Sequence, residues 1–187
     1  SDNRATTALA RATGLPLAAF AEAMNRRAAA LGLASAHFGD PTGLDPEDVA
    51  SARDVARLLH AATRPALLRK VLEKKEHSFL RLDRPARILA RATNHLAHMD
   101  HWSVRAAKTG STSQAGGCLV VQADVAGRRV VMALLGARGM DSRYGDAGRI
   151  RSWLEQRAAA PLIAAGEGTG EAAEVATAGG SAVDDPI

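Results

Sequence analysis

"CLVVQADVAGRRVVMALL", residues 118–135, sets two Val-rich runs on either side of Ala126-Gly127. Runs rich in Val and Leu with a short Gly-containing join read as a β-hairpin. A parallel pair would need a crossover of about a dozen residues or more, so this pairing is antiparallel. Cys118, the single cysteine, stands between Gly117 and Leu119 and reads as a small buried apolar residue, since no intrachain disulfide is available to it.

Working outward from the hairpin, Ser78 to Leu82, Arg87 to Ala90 and Ser103 to Lys108 lack helical period and read as short strands and loops. The first 75 residues differ. Arg4 to Arg11 is rich in helix formers, and Gly14-Leu15-Pro16 interrupts it. Leu17, Phe20, Ala21, Met24, Ala28 and Leu31 then recur at helical spacing before the stop at Gly32.

Leu33 to Phe38 reads as a short extended piece, and Asp40-Pro41-Thr42-Gly43-Leu44-Asp45-Pro46 as an ordered loop. Ser51 and Asp54 resemble a capping box, and Pro65 opens another helix over Ala66 to Leu72. After the hairpin, Asp141 to Gln156 is helical, with Ile150, Trp153 and Leu154 on one side. Helices, then an antiparallel sheet, then a closing helix make the fold class α+β. One domain over residues 1–157 is expected, with a mainly helical lobe at 1–75 and the sheet and last helix at 76–157. The Ala/Gly-rich stretch 158–187 lacks bulky anchors and reads as a disordered tail.

Charge divides along the same line. The formal net charge is +4, yet residues 158–187 hold Glu167, Glu171, Glu174, Asp184 and Asp185 with no Lys or Arg. Without those five acids, residues 1–157 carry +9. The basic residues are dispersed and no aromatic ladder accompanies them, which argues against nucleic acid; an acidic polymer or carboxylate substrate fits the charge as well. No run of about 18 apolar residues occurs, and no basic and then apolar leader opens the sequence. Cysteine usage leaves the compartment open.

Two triplets carry chemistry: Ser1-Asp2-Asn3 ahead of a helix, and Lys108-Thr109-Gly110 at the end of a strand. Triplets of these types accompany S-x-x-K in penicillin-binding proteins and class A β-lactamases. The wider stretches "HFGDPTGLDPEDVASARDVARLL", "TNHLAHMDHWSVRAAKTGSTSQAGGCLVVQA", "GRRVVMALLGA" and "RYGDAGRIRSWLE" resemble the low-molecular-mass penicillin-binding proteins. Thr93-Asn94-His95-Leu96 and the Asp100-x-Trp102 before Lys108 resemble the D-alanyl-D-alanine endopeptidase branch most closely.

The resemblance implies a penicilloyl-serine transferase fold, with a five-stranded antiparallel sheet, flanking helices and a helical lobe. It implies acyl transfer from D-alanyl peptides of peptidoglycan to a serine, inhibition by β-lactams and a periplasmic location, with neither metal nor organic cofactor. Membrane association stays open. Ser1 would relay a proton between a lysine and the leaving group, and Asn3 would hold the substrate's peptide group. Lys108 would place a positive charge near the substrate carboxylate, Thr109 would donate to that carboxylate, and Gly110 would let peptide approach the strand edge. The backbone N–H of Thr112 or Ser113 would supply half of an oxyanion hole.

The nucleophile and its base come from S-x-x-K, whose spacing puts hydroxyl and amine on one helix face. No serine of this chain has Lys three positions on; Ser78 with Arg81 comes nearest, and a guanidinium cannot act as a base. The expectation is a piece of a longer enzyme, cut ahead of the second motif and inactive as it stands. Such a piece would leave a sheet edge and apolar surface uncovered, favouring aggregation or partial unfolding.

Other readings are weaker. Ser1-Asp2-Asn3 could be only a helix cap, and an N-terminal serine could be its own nucleophile and base, although such residues open strands. His95, His98 and His101 lack the Cys or Glu that would complete a zinc set and should line a loop beside the sheet. Asp40 to Leu44 should brace the helical lobe, and Trp102 should pack rather than stack on sugar. D-alanyl-D-alanine carboxypeptidase is the nearest competing activity, followed by a non-catalytic peptidoglycan-binding relative. A class A β-lactamase would need a glutamate on a loop that this chain does not match.

Overall fold

The computed structural model describes residues 2–139 and 141–160, so Ser1 and the tail from residue 161 onward lie outside the described residues. Four helices come first: α1 (Asn3–Ala12), α2 (Leu17–Ala30), α3 (Ala52–Ala62) and α4 (Ala66–Leu72). Strands β1 (Glu76–Leu80) and β2 (Arg87–Arg91), a 3-10 turn at His95–His98, strands β3 (Ser103–Thr112), β4 (Gly116–Val125) and β5 (Arg128–Ala137), and helix α5 (Ser142–Ala159) follow. The α+β order expected from the sequence is present.

The hairpin Cys118–Leu135 forms as read, with Val125 opposite Arg128 across Ala126-Gly127. Both turn residues have positive φ, 48° at Ala126 and 73° at Gly127. That pair of angles belongs to the type I′ turn, whose twist matches the strands it joins. Alanine is poorly suited to it, because its Cβ crowds the carbonyl in the left-handed region. Replacing Ala126 with Asn should therefore raise stability by up to about 1 kcal/mol, seen as a higher urea midpoint at unchanged slope. A lower midpoint would refute the turn assignment.

β4 is the centre of a three-stranded sheet ordered β3-β4-β5, antiparallel throughout. Its side chains alternate between two covered faces. Leu119, Val121, Ala123 and Val125 point to α5 and pack with Met132, Leu96, Trp102, Tyr144 and Ala147. Val120 points the other way and packs with Ala106 and Leu59 of α3, beside Val55, Leu72, Val131 and Ala133. A strand buried on both faces needs apolar residues at successive positions, which explains the unbroken run Cys118 to Val121.

Three strands, β3-β4-β5, make the main sheet, and among the described residues β1 and β2 pair only with each other, as a separate ribbon. Both of its strands are almost wholly exposed, so they lack the inward-facing apolar face that would have docked them on the core. Leu33 to Phe38 is not a strand; only His37 forms a bridge, to Val49. The cause is Asp54, whose carboxylate accepts from the backbone N–H and hydroxyl of Ser35 at 2.9 and 2.6 Å and bends the segment onto α3. The capping box at Ser51 is consequently half made: Ser51 Oγ accepts from the Asp54 N–H at 3.2 Å while the Asp54 carboxylate serves Ser35. Those two bonds from Ser35, the hydroxyl's first, hold the Asp54 carboxyl below the usual carboxylate range. Cys118 is half-buried rather than fully enclosed.

Candidate active site

At the start of the chain, Asp2 is the helix cap. Its carboxylate accepts from the N–H groups of Arg4 and Ala5 at 2.8 and 3.2 Å, and the Arg4 side chain, first, with these amides lowers its pKa. The capping explanation of the first triplet therefore rests on Asp2 and asks nothing of Asn3. Asn3 begins the first turn with its side chain exposed, and among the described residues its amide makes no hydrogen bond. The Ser1 assignment lies outside the described residues.

The second triplet sits near the end of β3, at the outer side of the sheet. Strand alternation separates its side chains. Lys108 shares the side of Ala106, which packs toward α3. Thr109 shares the side of Ala107, which packs toward the α5 core. The Lys108 ammonium donates to the Thr109 carbonyl at 2.5 Å, and partial removal from water lowers its pKa below the ordinary 10.5. A cleft of about 220 Å³ runs beside it, with Lys74, Lys75, Thr93, Asn94 and Thr109 in its wall.

Thr109 is buried and its hydroxyl is 2.7 Å from the hydroxyl of Thr93. Thr93 is fixed in turn, because its carbonyl accepts from the Tyr144 hydroxyl at 3.2 Å. The Tyr144 ring stacks with His95 at 4.9 Å between ring centroids, and the Arg143 guanidinium is 5.1 Å from the Tyr144 ring centroid. Arg143 is buried and donates from one nitrogen to the carbonyls of Gly110 and Cys118, at 2.8 and 3.3 Å. The β3 segment carrying Lys108 is thus held from below by α5 and by the residues ahead of the 3-10 turn.

Gly110 has room. A Cβ built there would meet only the Cys118 Cβ, at an ordinary 3.8 Å. Nothing among the described residues requires glycine at this point. Thr112 ends β3, and its hydroxyl accepts from the Ala115 N–H at 2.9 Å, which ties it to the turn. Ser113 lies in that turn, beyond the strand. Lys108, Thr109, Gly110 and Thr112 are therefore brought together on one strand, with Ser113 just past its end.

The remaining candidates find structural places. His98 Nε2 is 3.1 Å from the Ala92 carbonyl, and the His101 ring is tilted against Trp102. Among the described residues no group of three His, Cys, Asp or Glu side chains could hold a metal. Trp102 is 7% exposed in the core, with the Arg151 guanidinium 5.1 Å from its ring centroid, so packing is its role. Asp40 accepts from the N–H groups of Thr42, Gly43 and Leu44 and from the Thr42 hydroxyl. Burial raises its pKa, and these bonds outweigh burial and lower it overall. Asp48, accepting from Gly39 and Asp40, is raised by burial. The loop borders a cavity of about 490 Å³ that reaches Met24, Ala115 and Cys118, consistent with a brace between the helices and the sheet.

Sequence reasoning assigned no role to Arg143, Tyr144 or Thr93. A buried arginine is rare and its partners here lie 25 and 33 residues away. All three lie in stretches that carry the family resemblance, Thr93-Asn94-His95-Leu96 and "RYGDAGRIRSWLE", but nothing in those stretches marks their partners.

The sequence profile of the D-alanyl-D-alanine carboxypeptidase family, peptidase S11, matches residues 1–139. A D-alanyl-D-alanine endopeptidase of Escherichia coli K12 is 34% identical over 187 residues, 99% of this chain and 60% of that protein. A D-alanyl-D-alanine endopeptidase of Pseudomonas aeruginosa is 36% identical over 155 residues, 83% of this chain and 50% of that protein. The chain thus spans about half to three-fifths of the length of these two relatives. Among solved structures, the Streptomyces K15 DD-transpeptidase superposes with a TM-score of 0.65 at 25% identity, over 72% of this chain and 53% of its own.

Proposed function

The chain belongs to the D-alanyl-D-alanine carboxypeptidase family, peptidase S11, and from that premise we propose that its residues 1–157 are part of the catalytic domain of a serine-type D-alanyl-D-alanine endopeptidase. The substrate would be the D-alanyl cross-link of peptidoglycan, in the bacterial envelope. A serine from an S-x-x-K segment, absent from these 187 residues, attacks the D-alanyl carbonyl; the amine departs, and water then releases the acyl group. Splitting the reaction in this way lowers each barrier.

In this reading Ser1 and Asn3 belong to the second motif and Lys108 to the third. Lys108 supplies positive charge to the substrate's carboxylate, and Thr109, engaged with Thr93, steadies the strand before any contact with that carboxylate. The backbone N–H of Thr112 or Ser113 faces the oxyanion. The observation that carries the reading is a lysine whose pKa desolvation lowers and, two positions on, a glycine that nothing among the described residues needs, both on the strand at the sheet's edge. An external backbone laid along β3 explains both, because Gly110 lets it approach and Lys108 meets its charge. The names of the 34% and 36% identical relatives favour cleavage of a cross-link over removal of a terminal D-alanine. Carboxypeptidase activity is the second reading.

Intact mass after benzylpenicillin treatment tests it, on a protein joining this chain to its S-x-x-K segment and on the 187 residues alone. One adduct on the longer protein and none on the shorter is expected. An adduct on the shorter chain would place a nucleophile within it, and no adduct on either would favour a binding-only relative.

A further inference from the structure

Thr93 belongs to neither of the two triplets, yet its hydroxyl oxygen lies 2.7 Å from that of Thr109. Neither hydroxyl has another hydrogen-bond partner among the described residues. Both threonines line the cleft that also holds Lys108. Thr93 is fixed through its neighbours. Ahead of it, the Ala92 N–H donates to the Lys75 carbonyl at 2.8 Å. Behind it, the Asn94 side chain accepts from the Leu96 N–H at 3.2 Å and opens the 3-10 turn. Its own carbonyl accepts from the Tyr144 hydroxyl at 3.2 Å. The Thr93 hydroxyl is thus presented to Thr109 by backbone that is already held, with little left to order when a ligand arrives.

Counting protons sets the direction of this contact. Each threonine hydroxyl has one hydrogen to donate and two lone pairs with which to accept. In the peptidase reading, on which this inference rests, Thr109 gives its hydrogen to the substrate carboxylate. The Thr109 oxygen then has only lone pairs to turn toward Thr93, so the hydrogen in the 2.7 Å contact must come from Thr93. With the opposite direction, Thr109 donating to Thr93, the carboxylate would meet an oxygen that has no hydrogen left for it. A hydroxyl that accepts one hydrogen bond also donates a stronger one, because each bond in such a chain polarises the next.

We propose that Thr93 is a positioning residue for the substrate carboxylate: its hydroxyl donates to the Thr109 oxygen, fixes the direction of the Thr109 hydrogen and strengthens the bond that Thr109 makes to that carboxylate. Thr93 acts through Thr109 and touches neither the reacting carbonyl nor the nucleophile. The two threonines and Lys108 divide the work at the cleft. Lys108 supplies charge, whose attraction falls only as the inverse of distance and tolerates displacement. The hydroxyl pair supplies direction, since a hydrogen bond weakens steeply when it bends. The dependence on Thr93 is specific to a free carboxylate, because a hydrogen bond to an ionised acceptor is about twice as strong as one to a neutral carbonyl.

The test uses the protein that joins this chain to its S-x-x-K segment, with benzylpenicillin and benzylpenicillin methyl ester as probes, and follows adduct mass against time. Thr93→Val keeps the branched shape and the backbone bond to Tyr144 and removes the hydroxyl. It should slow acylation by the acid about fivefold to tenfold, the share of one hydrogen bond, and acylation by the ester less than about twofold. Thr93→Ser should return the acid rate to within about twofold of the parent's. The ratio of acid to ester rates cancels any general loss of active protein, so a partly unfolded variant does not mimic the effect. Equal slowing with both probes would leave Thr93 a structural role only, and an unchanged or faster acid rate would mean that Thr109 donates to Thr93. Either result overturns this inference while an acylating parent upholds the peptidase reading, whereas a parent that takes no adduct from the acid ends both.

Discussion

Lys108→Ala, made in a protein that joins this chain to its S-x-x-K segment, should slow acylation by benzylpenicillin by about 10³-fold while leaving the fold intact. Removing one preorganised electrostatic partner of a developing charge costs about 10²- to 10³-fold, and loss of a group in the proton-transfer path reaches about 10⁴-fold. The residue is exposed and, among the described residues, its ammonium bonds only the neighbouring carbonyl, so its removal takes little from the core. The pH profile carries the sharper signature. Desolvation lowers the Lys108 pKa below 10.5, so the charged form, and the activity that needs it, is present below the folded pKa and is lost as pH rises through it. The alkaline limb should therefore fall below the position of an ordinary lysine. Lys108→Arg, which cannot deprotonate in this range, should remove that limb while retaining part of the rate. A Lys108→Ala enzyme acylating at the parent rate would end the assignment.

Trp102→Ala should be the most damaging single change to stability. The indole is 7% exposed and packs with Leu96, Leu119, Val121 and Tyr144 beneath the sheet, while its face carries the Arg151 guanidinium. Deleting a buried tryptophan costs about 3–5 kcal/mol, a large share of the 5–15 kcal/mol typical of a domain. Urea unfolding should show a markedly lower midpoint in the longer protein. A Trp102→Ala variant of parental stability that had lost affinity for glycan strands would instead make the residue a sugar platform.

How far the sequence could be read depended on how local each signal was. The turn at Ala126-Gly127, the stop at Gly32 and the start after Pro65 are set by neighbours a few residues away, and the structure has them where expected. Strands 78–82 and 87–90 were also found to within two residues. Their partnership was not, because which strands share a sheet depends on a core contact, and these two lack the inward-facing residues to make one. At the candidate site, Lys108 and Gly110 were legible as a motif. The Thr93–Thr109 hydroxyl pair and the Arg143 bonds to Gly110 and Cys118 were not, since each joins residues 16 to 33 positions apart with no periodicity linking them. Asp54 shows the same limit from the other side: beside Ser51 it read as a local cap, and Ser35, 19 residues upstream, claimed its carboxylate.

The order β3-β4-β5 follows the chain, with Thr112 and Gly116 facing each other across three residues and Val125 and Arg128 across two. In folding terms this is the part of the molecule with the least loop entropy to overcome, since closure cost grows with the logarithm of loop length. The packing of Leu59 on Val120, by contrast, must close about sixty residues. Contacts of low sequence separation form fastest. The strand that presents Lys108 is therefore assembled by the quickest steps available to this chain, ahead of the helix that covers it from α3's side.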